Sequence, residues 1–465
     1  MTTTIPELNR AALAAAGETL LTPPERIVHI GLGAFHRAHQ AWYTARADDA
    51  SQWGITAFTG RSPVLAQQLQ AQDGLYTLVE RGADGDRFQR IGSIIAAHPA
   101  EHTAQLTAAL SAPATALVTL TVTEAGYSLT ATNEPDLSDP DLRADLHALA
   151  GGSARGSIAA RTVLGRMLVG LDARRLAGAG PISIVPCDNF PDNGATVARA
   201  LTILADDVSA DLGRWVRDSV AFVSTSVDRI TPRLDVATIG EVAEATGWHD
   251  AAPVVTEPFS DWILSGTFPA GRPQWETAGA RFVTDIGAFE SRKLWLLNGA
   301  HSLLAYLGRL RGHATVAEAI TDPVCRVQVE QWWDEASRHL PAAVDTGGYR
   351  VALVDRFRNP RIAHSLAQIS GDAVAKLSIR IAPVVRAELA AGRGAPGGAA
   401  AVGAWISTVT SGMTLQDAHA DEVGTARGTA DPVAALLALV APDLAAHPSF
   451  LDDVRIAARS LSEHD

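Results

Sequence analysis

The sequence predicts an α/β fold, with a doubly wound sheet of parallel strands in the N-terminal part and a mainly α-helical C-terminal part. Three observations predict it. Short β-rich runs alternate with helical stretches through the first half, and from about Phe289 long segments of helical spacing replace them. The length of 465 residues also exceeds what one hydrophobic core organises, so two domains are expected, 1–285 and 286–465.

The first strand is RIVHIGL (26–32), and AFHRAHQAWYTARA after it is helical. The second strand is WGITAFTG (53–60), followed by a helical SPVLAQQLQAQ. TALVTLTV (115–122), PISIVPC (181–187) and SVAFVSTSV (219–227) are further strands. Each is a continuous apolar run, as in parallel strands buried on both faces, whose C-terminal ends are where such sheets bind ligands. SRKLWLLNGAHSLLAYLGRL and TVAEAITDPVCRVQVEQWWDEASRHL have helical spacing, while AAGRGAPGGAAAVGAW (390–405), rich in glycine and small residues, predicts a surface loop between helices.

Composition narrows the function. No run of about 18 apolar residues is present, and MTTTIPELNR lacks a basic stretch ahead of an apolar segment, so a cytoplasmic protein is expected. Cys187 and Cys325 are too few and too far apart for a disulfide scaffold or a thiolate zinc site. The net charge of −13 is spread along the chain and disfavours nucleic acid or an anionic membrane as partner. A small-molecule ligand is expected, with the chain a monomer or small homo-oligomer.

In IVHIGLGAFHRAHQ, Gly31 and Gly33 stand directly after the first strand and ahead of a helix, the context a dinucleotide fingerprint requires. Gly31 suits the tight turn and Gly33 a close backbone approach to pyrophosphate at a helix N-terminus. The candidate cofactor residues here are Gly31, Leu32, Gly33, Ala34 and Phe35, although His36 replaces the third glycine. After the second strand an acidic residue is expected for a ribose 2′-hydroxyl; the chain gives Gly60, Arg61 and Ser62, and Arg61 suits a 2′-phosphate or a solvated surface equally. The TEAGYS loop (123–128), with Thr123 and Glu124, is the candidate for the nicotinamide side. The expected cofactor is NAD, with NADP the alternative.

Lys293, Asn298 and His301 interrupt an otherwise apolar helical stretch. On an α-helix Asn298 would lie about 140° and His301 about 80° round from Lys293, a broad face rather than a stripe. Oxidising an alcohol by hydride transfer needs a base for the hydroxyl proton and donors for the developing oxygen charge. A desolvated lysine can be that base, and carboxamides suit the charge-stabilising role without titrating. PCDNFPDNG, with Asn189, Asn193 and Gly194, and STSVDRITPR, with Asp228, Arg229 and Arg233, lie near strand ends where a substrate would meet the sheet. No metal is required by this chemistry, and His36 with His39, a turn apart in the nucleotide-loop helix, make a poor zinc pair.

Four motifs, GLGAFHRAHQ, PCDNFPDNG, SVDRITPR and KLWLLNGAHS, together resemble the long-chain mannitol dehydrogenase family in order and over most of the chain. TEPFSDW (256–262) and RFRNPRIAH (356–364) add to the likeness. The resemblance implies an N-terminal Rossmann-type domain and a helical substrate-binding and catalytic domain. It implies metal-independent hydride transfer between NAD(P) and a secondary alcohol of a linear polyol or its keto form. By it, Lys293 matches the general base, Asn189 and Asn298 the oxyanion-stabilising pair, and His301 and Asp228 residues that position substrate or help its proton leave. Mannitol and arabinitol dehydrogenases and hexuronate reductases share this set, so a uronate is the alternative substrate. Its carboxylate would need a cation such as Arg361, His364, Lys376 or Arg380, residues that suit polyol hydroxyls as well. From a different class, a non-catalytic nucleotide sensor is disfavoured by the intact Lys293, Asn298 and His301.

Overall fold

The computed structural model describes residues 5–462 apart from 152–154, 363 and 414, and gives the backbone alone for Glu124, Arg155, Leu461 and Ser462. The chain divides into two compact units, Met1–Gly287 and Ala288–Asp465.

The first unit is built on six strands, β1 (Glu25–Ile30), β2 (Gly54–Phe58), β5 (Ile94–His98), β6 (Leu117–Leu120), β7 (Ile182–Pro186) and β8 (Val220–Phe222). Their order is β5-β2-β1-β6-β7-β8, and every neighbouring pair is parallel. This is the doubly wound Rossmann order, in which the chain reverses direction across the sheet beside β1 and opens a crevice at the carboxyl ends. All residues of β2, β6 and β7 are buried, which explains their unbroken apolar runs. Two hydrophobic clusters cover the faces, one with Leu164, Leu168, Leu201 and Leu204, the other with Trp42, Trp262 and Trp275.

Two smaller sheets flank this one. β3 (Tyr76–Gly82) and β4 (Gly85–Ile91) form a hairpin that β10 (Val254–Thr256) joins in parallel, and β9 (Ser224–Asp228), β11 (Asp261–Ser265) and β12 (Arg281–Phe282) form the other. The run SVAFVSTSV is therefore two strands rather than one. It breaks at Val223, and β9 leaves the parallel sheet to pair antiparallel with β11, Asp228 opposite Asp261.

The second unit is mainly helical, and no helix in it or elsewhere among the described residues is long and apolar enough to cross a membrane. Residues 390–405 correct the expected loop, for Pro396–Thr410 is a helix with most of its residues buried. Proline suits its first turn, and the small residues permit close packing. A Cβ on Gly397 would come within 2.8 Å of the Trp332 backbone, and one on Gly403 within 2.8 Å of Ala457.

Candidate active site

In the first unit the carboxyl ends of the parallel strands border a cavity of about 1000 Å³. Gly31 and Leu32 line it after β1, Arg61 after β2, Glu101 after β5 and Thr123 after β6. Gly31 has φ +106°, and a Cβ there would sit 2.2 Å from the Thr121 carbonyl oxygen, so the turn demands glycine. The N–H groups of Gly31 and Leu32 both donate to Phe58 O at 2.9 Å and so tie the turn to β2. The N–H groups that can meet a phosphate are those opening the Ala34–Ala38 helix, with Gly33 as its N-cap. Gly33, Ala34 and Phe35 are not cavity-lining residues, whereas a Cβ on Gly33 would meet only Gly31 O, at 3.6 Å, leaving its face open. The strained glycine turn and the cavity fit a dinucleotide.

His36, where a third glycine was expected, is fully buried and stacked on His29 with ring centroids 3.3 Å apart. Burial pushes His29 down to about 3 and His36 well below the ordinary range, so both rings are neutral packing elements. His39 Nε2 lies 3.2 Å from Asp261 O, a further structural use.

Thr123 and Glu124 enter a short turn ending at Tyr127, while the Glu124 side chain lies outside the described residues. Tyr127 Oη donates to Asp188 Oδ2 at 2.6 Å, joining this turn to PCDNFPDNG. Asn193 donates to Asp188 Oδ1 and to Thr225 O and accepts from Thr225 N at 2.8 Å. Gly194 lets the backbone of Ser224 approach, since a Cβ there would lie 2.5 Å from Ser224 N. This bracing presents Asn189 on the exposed tip. Asp228 closes β9 and is buried. Its neighbour Arg229 is structural, donating to Ala38 O at 2.6 Å, pairing with Glu80 at 3.3 Å and lying over the Trp42 ring.

In the second unit, Lys293–Gly299 is a π-helix that runs into the α-helix Ala300–Leu310. This corrects the α-helical angles expected for Lys293 and Asn298. In i→i+5 geometry residues five apart lie one above the other, so the lysine and the carboxamide share one side. The wide turn is held from outside. Trp332 Nε1 donates to Trp295 O at 2.8 Å and Trp333 Nε1 to Leu296 O at 2.7 Å, satisfying carbonyls that the altered ladder releases. Arg380 donates to Asn298 O at 3.4 Å and to Ser302 Oγ at 3.1 Å. Lys293 and Asn298 are half-buried.

His301 follows one α turn after Asn298 and is buried, with Nε2 lacking a partner among the described residues. Its ring lies 4.7 Å from Phe357 and 4.9 Å from His364. Burial first, then the charges of His364, Arg356 and Arg380, push it well below the ordinary histidine range, so it is a neutral hydrogen-bonding ring. His364 is lowered too, by burial and then Arg356. Lys376 spends two donors on Ile369 O and Gly371 O at 3.1 and 2.6 Å, and Arg361 is exposed. Arg356, whose charge reaches His301, was not singled out because RFRNP reads as an ordinary charged segment. Among the described residues, one group could hold a metal, His313, Asp322 and Cys325. Asp322 Oδ2 there already accepts from Arg311 at 2.6 Å.

Profiles of two families match the chain, one described as the mannitol dehydrogenase Rossmann domain over residues 25–277 and one as the mannitol dehydrogenase C-terminal domain over 285–462. The chain belongs to the mannitol dehydrogenase family. It is 35% identical to a D-mannonate oxidoreductase of Escherichia coli, across 88% of this chain and 83% of that one. It is 36% identical to a mannitol 2-dehydrogenase of Cereibacter sphaeroides, across 80% and 78%. Among solved structures, a Pseudomonas fluorescens mannitol 2-dehydrogenase in ternary complex with NAD and D-mannitol superposes with a TM-score of 0.77 at 32% identity, covering 98% and 97% of the two chains.

Proposed function

We propose that this chain is a nicotinamide-dependent dehydrogenase that oxidises a secondary alcohol of a linear polyol to the ketose and runs in reverse. What supports the reading is the π-turn, in which Lys293 and Asn298, five residues apart, stand about one turn apart on one side of a braced helix. Bound nicotinamide supplies the hydride acceptor. Lys293, as the neutral amine, takes the hydroxyl proton as the C–H bond breaks, Asn298 donates to the developing oxygen charge, and neutral His301 offers its Nε2, unpartnered among the described residues, to a substrate hydroxyl. Asn189 and Asp228 keep the oxyanion and positioning roles that the family resemblance implies. Asp228 at the end of β9 and Asn189 on its braced loop support those roles.

The proton step needs no metal ion, so full activity after exhaustive chelation is the expected result. A panel of mannitol, arabinitol, fructose, fructuronate and tagaturonate, read by nicotinamide absorbance, tests the substrate. Preference for the neutral polyols supports the reading.

A second reading, reduction of a hexuronate with the same residues, is favoured by the charge around His301. The charges acting on it include the guanidinium groups of Arg356 and Arg380. Such a setting suits a carboxylate. Its relative from Escherichia coli is a D-mannonate oxidoreductase. A strong preference for the uronates in the same panel would replace the first reading with this one.

A further inference from the structure

The strand order divides the cavity of the first unit into two ends. Gly31 follows the central β1; β2 and β5 lie to one side of it and β6 to the other. Arg61 and Glu101, after β2 and β5, therefore mark the end that receives the adenosine of a dinucleotide whose pyrophosphate crosses the glycine turn, while Thr121, Thr123 and Gly126 mark the nicotinamide end.

Recognition of an unmodified ribose asks for a carboxylate on the segment after β2, and residues 59–63, Thr-Gly-Arg-Ser-Pro, carry none. Arg61 is exposed at the cavity wall, and no carboxylate among the described residues pairs with it. The Ser62 hydroxyl oxygen accepts from Val64 N at 3.4 Å, which leaves its O–H to donate.

The other cations of the wall differ in availability. Arg161 is committed to Asp141 at 2.8 Å. Arg166, in the first turn of the Val163–Ala177 helix, donates through Nε to Ala160 O at 3.1 Å, and the charges of Asp145 and then Glu101 reach it. Arg166 and Glu101 both line the cavity, so Arg166 adds a second, half-buried guanidinium to its wall.

We propose that this end of the cavity is built for a phosphate on the adenosine ribose, so that the chain selects NADP(H) over NAD(H). Arg61 and the Ser62 hydroxyl bind that phosphate, and Arg166 adds charge behind them. A guanidinium matches a phosphate dianion in geometry and charge, and offers a diol no comparable partner. The inference rests on the nicotinamide reading above and names which form of that cofactor the residues select.

Titration of the substrate-free protein with NADPH and with NADH, followed by nicotinamide fluorescence, tests it without any turnover. NADPH is expected to bind at least about tenfold more tightly, and 2′,5′-ADP to displace it far better than 5′-AMP. Arg61→Ala should abolish that preference and leave NADH affinity within about threefold, and Arg166→Gln should weaken NADPH more than NADH. Equal or tighter binding of NADH, or a preference unchanged in Arg61→Ala, would overturn the proposal while leaving the dehydrogenase reading intact. Binding of neither dinucleotide would overturn both.

Discussion

Trp332 lies so close to Gly299 that a Cβ on the glycine would stand 2.6 Å from the indole Nε1. That approach lets the indole reach Trp295 O and hold open the π-turn on which Lys293 and Asn298 are mounted.

Gly299→Ala is expected to push Trp332 away and let the segment relax toward α-geometry, which moves Asn298 off the lysine's side. Overpacking of this kind costs about 1–3 kcal/mol. Denaturant melts should show that loss, and kcat should fall more than dinucleotide affinity. Wild-type kcat in this variant would mean that the turn's geometry is irrelevant to turnover.

The glycine turn of the first unit makes a separate demand. Gly31→Ala places a side chain at φ +106° and against Thr121 O, a strain of about 1–3 kcal/mol. Dinucleotide affinity, read by fluorescence titration, should drop by at least about tenfold. Unchanged affinity would remove this turn from the cofactor site.

His29, His36 and His301 are buried, and the folded state holds all three below their ordinary value of 6.5. Below pH 6.5 the unfolded chain takes up protons that the folded chain refuses, so stability is complete above that pH and is lost as pH falls. The loss approaches about 1.4 kcal/mol per pH unit for each group. Melts between pH 7.5 and 5 should show a steep decline, flatter in His29→Gln if that variant folds. For His29, held at about 3, the decline continues toward that pH. Stability independent of pH over this range would contradict the neutral burial of these rings.

Much of this architecture is written locally. β2, β6 and β7 are buried on both faces, and their unbroken apolar runs say so. The turn after β1 was legible too, because a glycine directly after an apolar run supplies the positive φ that a sharp turn such as that at Gly31 needs. What depends on distant partners was not legible. The π-turn is held by indoles 37 residues further along, so no local pattern announces it. SVAFVSTSV reads as one strand because nothing within it tells that β11 will capture its second half. Glycine and alanine in 390–405 read as loop because small residues serve flexible chain and close helix packing alike, and only Trp332 and Ala457 decide between them. The charges about His301 come from Arg356 and Arg380, brought there by tertiary packing.

The central claim is that the Lys293 amine takes the substrate's hydroxyl proton in oxidation and returns it in reduction. Single-turnover kinetics of Lys293→Ala with saturating dinucleotide and the preferred substrate, paired with a dinucleotide titration, test it most directly. The account predicts a hydride-transfer rate lowered by at least about 10²-fold, dinucleotide affinity within about threefold of wild type, and partial rescue by added primary amines. A hydride-transfer rate near that of the wild type would contradict it.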